Sequence, residues 1–458
     1  MGASRPRPSR EAYAFLVGAP AFKAGERRYP SLAGSIPVRL RSVLSPPRPE
    51  QQGGPRGTHP RARLRRGPAL RSTEVDARTW RRGAFALFAV AAGTNVPTPL
   101  LLVYRDTLDL APDVLTAAFG VYAAGLVPAI VFAGPLSDRL GRRRVMLPLL
   151  VAAAAVSLLL IAAASSLPVL FAGRFLQGAV SGAAFSVGSA WVGELSALAG
   201  AGAAGRRAAV AMTGGFSLGP LTAGLLAQYV PYPTTLPYLV HVALVGAGIV
   251  AALGLPETVD VARERPEARG PLVQSGDRRT LLSVLLPMSV CVYAFPSVVI
   301  SAVPLLVETS APPVLLTGVL AGITLGAGTL AAPLQRRLGR WTAATGVGLG
   351  AVGFAVVTLG AGTGSPPLLL ASALMLGSGG GLVLAAGLGL VARLAQPERR
   401  GALSATFLAT AYLGFTAPYL TAVLAEATRV QVPLALMSGL AVVLLLRLVL
   451  ATRRGQTA

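Results

Sequence analysis

Charge is scarce in this chain. Asp, Glu, Lys and Arg supply 13% of its 458 residues, where roughly a quarter is usual in soluble domains. So little polar material cannot cover a water-facing surface, which excludes an ordinary soluble enzyme or binding domain. The single cysteine, Cys291, excludes a disulfide framework within the chain. With only two histidines, His59 and His241, there is no Cys/His metal cluster, no HExxH helix and no Ser-His-Asp set. Lys23 is the one lysine among 41 basic residues, so a Gly-rich phosphate loop with its lysine is missing too. Catalysis, a cofactor and a metal are therefore not expected. What the chain has instead is apolar material: 53% hydrophobic residues and a mean hydropathy of +0.63.

Acid is scarcer than base, 18 residues against 41, for a formal net charge of +23. A surplus of that size can signal nucleic acid, so its position decides. Residues 1–83 hold 18 basic and 5 acidic residues, a net of +13. The remaining +10 lies mostly in short connections between apolar segments, where membrane topology accounts for it, and no nucleic-acid partner is expected. Twelve segments approach the roughly 20 apolar residues that a bilayer crossing needs. They lie near 83–104, 114–136, 145–165, 168–193, 207–229, 235–255, 281–307, 313–334, 341–362, 366–393, 402–425 and 431–450. Alternate connections differ sharply: one set carries 21 arginines and the other only Arg105 and Arg429. The positive-inside rule then places both termini in the cytoplasm of a multi-pass plasma (inner) membrane protein.

Residues 1–77 fit none of this. Rich in Arg, Pro and Gly, with little apolar periodicity, they read as a disordered tail. The apolar run from Ala12 to Phe22 is too short to span, and Pro20 and Lys23 break it as a signal peptide. Three readings stand for the tail: a solvated extension, a tether to anionic lipid, or a translated stretch upstream of the true start.

Between the second and third apolar segments, Gly134-Pro135-Leu136-Ser137-Asp138-Arg139-Leu140-Gly141-Arg142-Arg143-Arg144-Val145-Met146 packs one Asp among four Arg. Membrane helices exclude charge, so the stretch reads as a short turn clamped by salt bridges. It resembles the loop between the second and third helices of the major facilitator superfamily, commonly written GxLaDRxGRkxx. That resemblance implies an all-α membrane protein, with twelve transmembrane helices in two pseudo-symmetric six-helix bundles and alternating access between them. It also implies conformational gating by Gly134, Asp138, Arg139, Gly141 and Arg142, with Asp138 acting on the start of helix 11 near Arg399 to Ala402. Glu194, with Arg206 or Arg207, resembles another part of the same cluster.

The chain also repeats itself. A shift of 198 residues lays Ala332-Pro333-Leu334-Gln335-Arg336-Arg337-Leu338-Gly339-Arg340 on the run from Gly134 to Arg142, with six of nine identical and Arg336 in place of Asp138. The same shift sets Ala417-Pro418 on Gly219-Pro220, and a shift of 199 sets Pro296 on Pro97. Two six-helix halves follow, 78–256 and 281–454, joined by a charged cytoplasmic linker over 257–280. Parallel halves of this kind enclose a cavity at the membrane midplane and rock around it.

Polar groups inside the spans are the remaining signals. An unpaired Arg174 in helix 4 would cost at least about 3 kcal/mol, so it is expected to face a polar cavity or to snorkel outward. Arg174-Phe175-Leu176-Gln177-Gly178 resembles the RxxQG motif, which the family associates with proton coupling and substrate contact. Gly215, Gly219, Pro220 and Gly224 in helix 5 resemble the GxxxGPxxGG pattern of exporting members, with Ala223 in place of one glycine; physically, such residues let helices approach closely. Helix 1 carries Asn95 where many proton-coupled exporters carry an acid, and Asn95 cannot shuttle protons. Helices 1, 4, 7 and 10 line the cavity in this family, so Asn95, Arg174, Gln177 and Tyr293 are the first substrate-site candidates. Tyr122 and Tyr412 follow, and His241 is either a titrating group or a hydrogen-bonded packing residue. The resulting expectation is proton-coupled efflux of a small organic molecule by a functional monomer in the bilayer. Uniport or import of a nutrient, or a non-transporting sensor of the same fold, are the alternatives.

Overall fold

Proline and glycine decide where the apolar segments bend, break and end. The computed structural model describes residues 77–197, 204–259, 277–396 and 399–455, all within the unit Leu70–Ala458. Every element among the described residues is helical. The expected tail lies outside them apart from Ala77, which already belongs to a helix, and so does most of the expected linker, 260–276.

The first half holds α1 (Ala77–Thr94 continuing as Pro97–Leu108), α2 (Pro112–Leu140), α3 (Arg142–Ile161), α4 (Leu167–Ala197), α5 (Ala204–Tyr229) and α6 (Leu236–Leu253). The second holds α7 (Arg278–Leu306), α8 (Pro313–Ala331), α9 (Thr342–Thr363), α10 (Pro366–Leu394), α11 (Arg400–Tyr412, resuming at Ala417–Ala427) and α12 (Gln431–Arg453). Ten stretches of described helix are long and apolar enough to cross a membrane. One of these, Pro313–Thr363, contains both α8 and α9, and α4 stands outside the ten, carrying Arg174, Gln177 and many small residues. Large apolar side chains lie open on the outer faces, among them Phe132, Val250, Leu359, Leu440 and Leu446. Such a surface suits lipid and would aggregate in water.

Packing repeats between the halves. The pairs α2–α4, α3–α4, α3–α6 and α1–α5 recur as α8–α10, α9–α10, α9–α12 and α7–α11, while α5–α8 and α2–α11 join one half to the other. Small residues set the closest approaches. Gly178 and Gly182 of α4 press on the backbone of Tyr122 and Leu126 in α2, and Gly377 and Gly381 of α10 press on Thr324 and Gly328 in α8. Gly215 and Gly219 of α5 abut Ala91 and Ala92 of α1, whereas Gly224 abuts Gly318 of α8. The α5 motif therefore serves two interfaces, one inside the first half and one between halves. Thr213 and Thr329 hydroxyls meet at 2.7 Å across α5 and α8. Leu100, Leu101 and Tyr104 of α1 share one continuous core with Val298, Val299 and Val303 of α7.

The charged stretch between α2 and α3 is tighter than a loop. α2 runs on to Leu140 and α3 begins at Arg142, so Gly141 alone reverses the chain, at φ +102°. That backbone conformation favours glycine. Asp138 and Arg139 thus stand on the last helical turn of α2, rather than in a turn of their own.

Candidate functional site

The site begins with a break in α1. Pro97 has no N–H for the carbonyl of Gly93, and the Thr98 N–H turns to Asn95 at 3.1 Å, which releases the carbonyl of Thr94. Under-satisfied carbonyls are costly away from water; Gly93 O keeps the Val96 N–H at 3.3 Å, and α4 supplies further donors to it and to Thr94 O. Gln177 Nε2 donates to Gly93 O at 2.8 Å, and Arg174 Nη1 donates to Thr94 O at 3.2 Å and to Gln177 Oε1 at 2.5 Å. The guanidinium is 1% exposed and lies 4.8 Å from the ring centre of Tyr122 and 5.7 Å from that of Phe119. It therefore neither snorkels nor faces an open polar cavity. It closes the C-terminal end of a broken helix, where positive charge is favoured.

In front of this network lies a cavity of about 110 Å³ between the halves. Asn95, Tyr122, Tyr293 and Tyr412 line it, together with Phe119, Phe185, Phe216 and Phe415, while Arg174 and Gln177 stay behind the wall. Tyr293 of α7 and Tyr412 of α11 stack at 4.5 Å with their hydroxyls 3.3 Å apart. Phe415 stacks on Phe119 at 5.4 Å. Phe185 and Phe216 meet edge to face at 5.2 Å. Small-molecule sites usually occupy roughly 300–1,000 Å³, so a larger occupant requires some of these rings to move. Tyr412 and Phe415 also wall a larger apolar groove between α2 and α11.

His241 sits elsewhere, on α6. Its Nε2 donates to Ala89 O at 3.0 Å, which leaves Nδ1 to accept from Ser157 Oγ at 2.7 Å. Both nitrogens are used in one neutral tautomer, and the ring packs over Gly93.

Of the expected gating residues, Asp138, Arg142 and Glu194 meet at the hairpin end of the first half. Arg142 donates to Glu194 at 3.0 Å, pairs with Asp138 and reaches Ser137. Glu257, after α6, accepts from the backbone N–H of Arg142 at 2.7 Å and of Arg143 at 3.0 Å, so it caps α3. Thr258 donates to Glu194. These contacts bind α2, α3, α4 and the end of α6 together. Gly134 approaches Ser186 of α4, and Arg139 is exposed. Arg206 is exposed as well, whereas the Arg207 guanidinium lies 4.2 Å over the ring of Trp80. The start of helix 11, onto which Asp138 was expected to act, includes Arg400 and Gly401, whose side chains fall outside the described residues.

Comparison with known proteins fits this geometry. The family model described as "Major Facilitator Superfamily" matches residues 83–352. The chain belongs to the Major Facilitator Superfamily. Its apolar helices and that membership make it a multi-pass membrane protein of a transporter family. The multidrug resistance protein MdtL of Escherichia coli is 40% identical over 74 residues, which is 16% of this chain and 18% of that protein's length. Among solved structures, the nucleoside transporter NupG superposes with a TM-score of 0.65 at 13% identity, over 82% of this chain and 99% of that one. The peptide transporter POT in complex with sulfate gives 0.69 at 15% identity, over 82% and 94%. At such identities these structures establish the fold alone.

For this superfamily member, sequence reading missed the phenylalanines of the cavity. A signal was available: a shift of 199 lays Gly414-Phe415 on Gly215-Phe216, and both rings face the cavity. Nothing in the sequence marks Phe119 or Phe185, since an aromatic in an apolar helix meets lipid as readily as it meets a cavity. Glu257 stood out in sequence only within Leu255-Pro256-Glu257-Thr258, which resembles the end of helix 6 in this superfamily, and its capping of α3 was not foreseen.

Proposed function

We propose that this transporter exports a small, apolar or weakly polar organic molecule by alternating access, holding it among the rings between its halves. The lining carries the reading: seven aromatic rings with a few hydroxyls and one amide, and no ionised side chain. Such a surface recognises shape and π-faces, with Asn95 and the tyrosine hydroxyls orienting the substrate. Asn95, Tyr122, Tyr293 and Tyr412 contact it. Arg174 and Gln177 hold the α1 break from behind, and His241 packs. Export is supported by the glycines and Pro220 of α5, arranged as in exporting members, and by the short stretch shared with a multidrug resistance protein.

A proton gradient drives the cycle in this reading. The halves 78–256 and 281–454 rock as two bodies, the first stiffened by the cluster around Arg142. The arginine asymmetry of the connections supports cytoplasmic termini in the inner membrane. A cavity complete within one chain supports a functional monomer. One observation favours a second reading: no Asp or Glu lines the cavity, which suits a uniporter or importer that only equilibrates its substrate.

Proteoliposomes loaded with a panel of apolar and weakly polar compounds, with and without an imposed pH gradient, separate the two. Accumulation that collapses with the gradient supports coupled export. Equilibration indifferent to the gradient rejects it in favour of the facilitator.

A further inference from the structure

The cavity between the halves shares two of its rings with a second space. Tyr412 and Phe415 line the cavity, and they also line a groove of about 600 Å³ between α2 and α11. Ala117, Gly120 and Ala124 keep the groove open, because they put no long side chain on the face that α2 turns to α11. Gly120 lies against the backbone of Phe415. Among the described residues no Asp, Glu, Lys or Arg lines the groove, and its two threonines spend their hydroxyls on their own helices, Thr116 on Pro112 O and Thr416 on Leu413 O. The rim faces outward: Ala124, Pro128, Thr416 and Tyr419 are exposed, and Leu413 is 57% exposed. In a bilayer such a rim meets lipid.

The groove also has a level. It takes its α2 residues from Thr116 to Pro128, within a helix that runs from Pro112 to Leu140. At about 1.5 Å per residue that is roughly 18 Å of helix, and as much again separates Pro128 from Leu140. With the arginine hairpin after Leu140 in the cytoplasm, as proposed, the groove opens to the outer leaflet.

The shared rings stand on a break in α11. Pro418 has no N–H for the carbonyl of Gly414, the helix tightens over Leu413–Thr416, and Ser297 Oγ of α7 donates to that carbonyl at 3.2 Å. Gly414 is thereby fastened to α7 while the rings on either side of it stand between two apolar spaces. Tyr412 is tied to Tyr293 by its stack and its hydroxyl. Phe415 has no hydrogen bond to break; it leans on Phe119 at 5.4 Å and on Tyr122 at 6.3 Å. A turn of that ring exchanges one apolar surrounding for another and joins the groove to the cavity.

We propose, resting on the reading of this cavity as the substrate site, that the groove is a lateral portal through which the transported apolar molecule passes between the cavity and the outer leaflet. Phe415 is its door and Tyr412 its fixed post. The occupant is the transported molecule, because the groove ends on that molecule's own cavity. A lipid chain lodged at the surface would need no such continuity.

The test dissolves a trifluoromethyl phenyl diazirine in liposomes that hold the full-length protein, irradiates them, and maps the carbene adducts by peptide mass spectrometry. Phe119 and Ile300 line the cavity and are buried from lipid, so adducts there report entry of an apolar molecule. The unaltered protein should carry them, together with adducts on exposed Val250. Ala124→Trp and Leu413→Trp plug the groove from either helix; each should lose the cavity adducts and keep those on Val250, whereas Leu359→Trp, on an outer face, should keep both. Phe415→Ala should increase the cavity adducts. Cavity adducts undiminished in both plugged variants would overturn the portal by showing another entrance. Adducts confined to the groove and the outer faces, even in Phe415→Ala, would overturn it by showing a seat for acyl chains alone. In the proteoliposome panel, compounds carried by Ala124→Trp at the unaltered rate would overturn the portal and leave the functional reading standing. Silence of the unaltered protein across that panel would instead overturn the reading on which the portal rests.

Discussion

Removing the Arg174 guanidinium should loosen α1 before it affects any substrate. In Arg174→Ala, Thr94 O loses its donor at 3.2 Å and Gln177 Oε1 loses its donor at 2.5 Å. A buried acceptor left without a donor costs about 1–3 kcal/mol, although polar pairs measured inside membranes average nearer ~0.6 kcal/mol. The carbonyls of Ala118 and Phe119, at 3.4 Å from the guanidinium, contribute little. Loss of the stack on Tyr122 adds roughly 0.5–2 kcal/mol. With the membrane value for both acceptors the total is roughly 2–3 kcal/mol. Cys291, the single cysteine, sits on α7, so a thiol-reactive dye reports unfolding without engineering. The variant should expose Cys291 several degrees lower than the unaltered protein. In liposomes its maximal rate should fall with little change in KM, because the guanidinium lies behind the cavity wall. Arg174→Lys should recover little, since one ammonium cannot serve both acceptors and the rings. Unaltered melting combined with a raised KM would refute the reasoning and make Arg174 a substrate contact.

Other substitutions probe the same account. Gly219→Val should prevent stable folding, because its side chain would overlap the carbonyl of Ala92; Gly246→Ala, with open space around it, should elute from size exclusion unchanged. Tyr293→Ala should raise KM about tenfold by removing one ring of the stack with Tyr412. Tyr293→Phe should stay within about threefold, since its hydroxyl contact at 3.3 Å is long. Glu257→Gln should lower stability by about 0.5–1 kcal/mol, since Glu257 is an exposed residue capping α3 and its charge is screened, readable in the same dye melt.

The helices and the two halves were legible because each apolar segment is long and the repeat is nearly in register, from Pro135 and Pro333 to Pro220 and Pro418. The role of Arg174 was only half legible. Sequence shows that a buried cation needs acceptors, but not that a break at Pro97 frees the carbonyl of Thr94 to be one. Tyr293 and Tyr412 could be named singly, yet they are 119 residues apart and their stack depends on how α7 meets α11. In each case the missing information was a register between helices, which periodicity within one helix does not contain.

The most direct measurement of alternating access is transport by a chain whose halves are covalently joined. Thr213 and Thr329 hydroxyls lie 2.7 Å apart across α5 and α8, close enough for cysteines at both positions to form a disulfide. In a Cys291→Ser background, Thr213→Cys with Thr329→Cys should cross-link on oxidation, stop transport and recover it on reduction. Full transport by completely cross-linked protein would contradict movement between the halves.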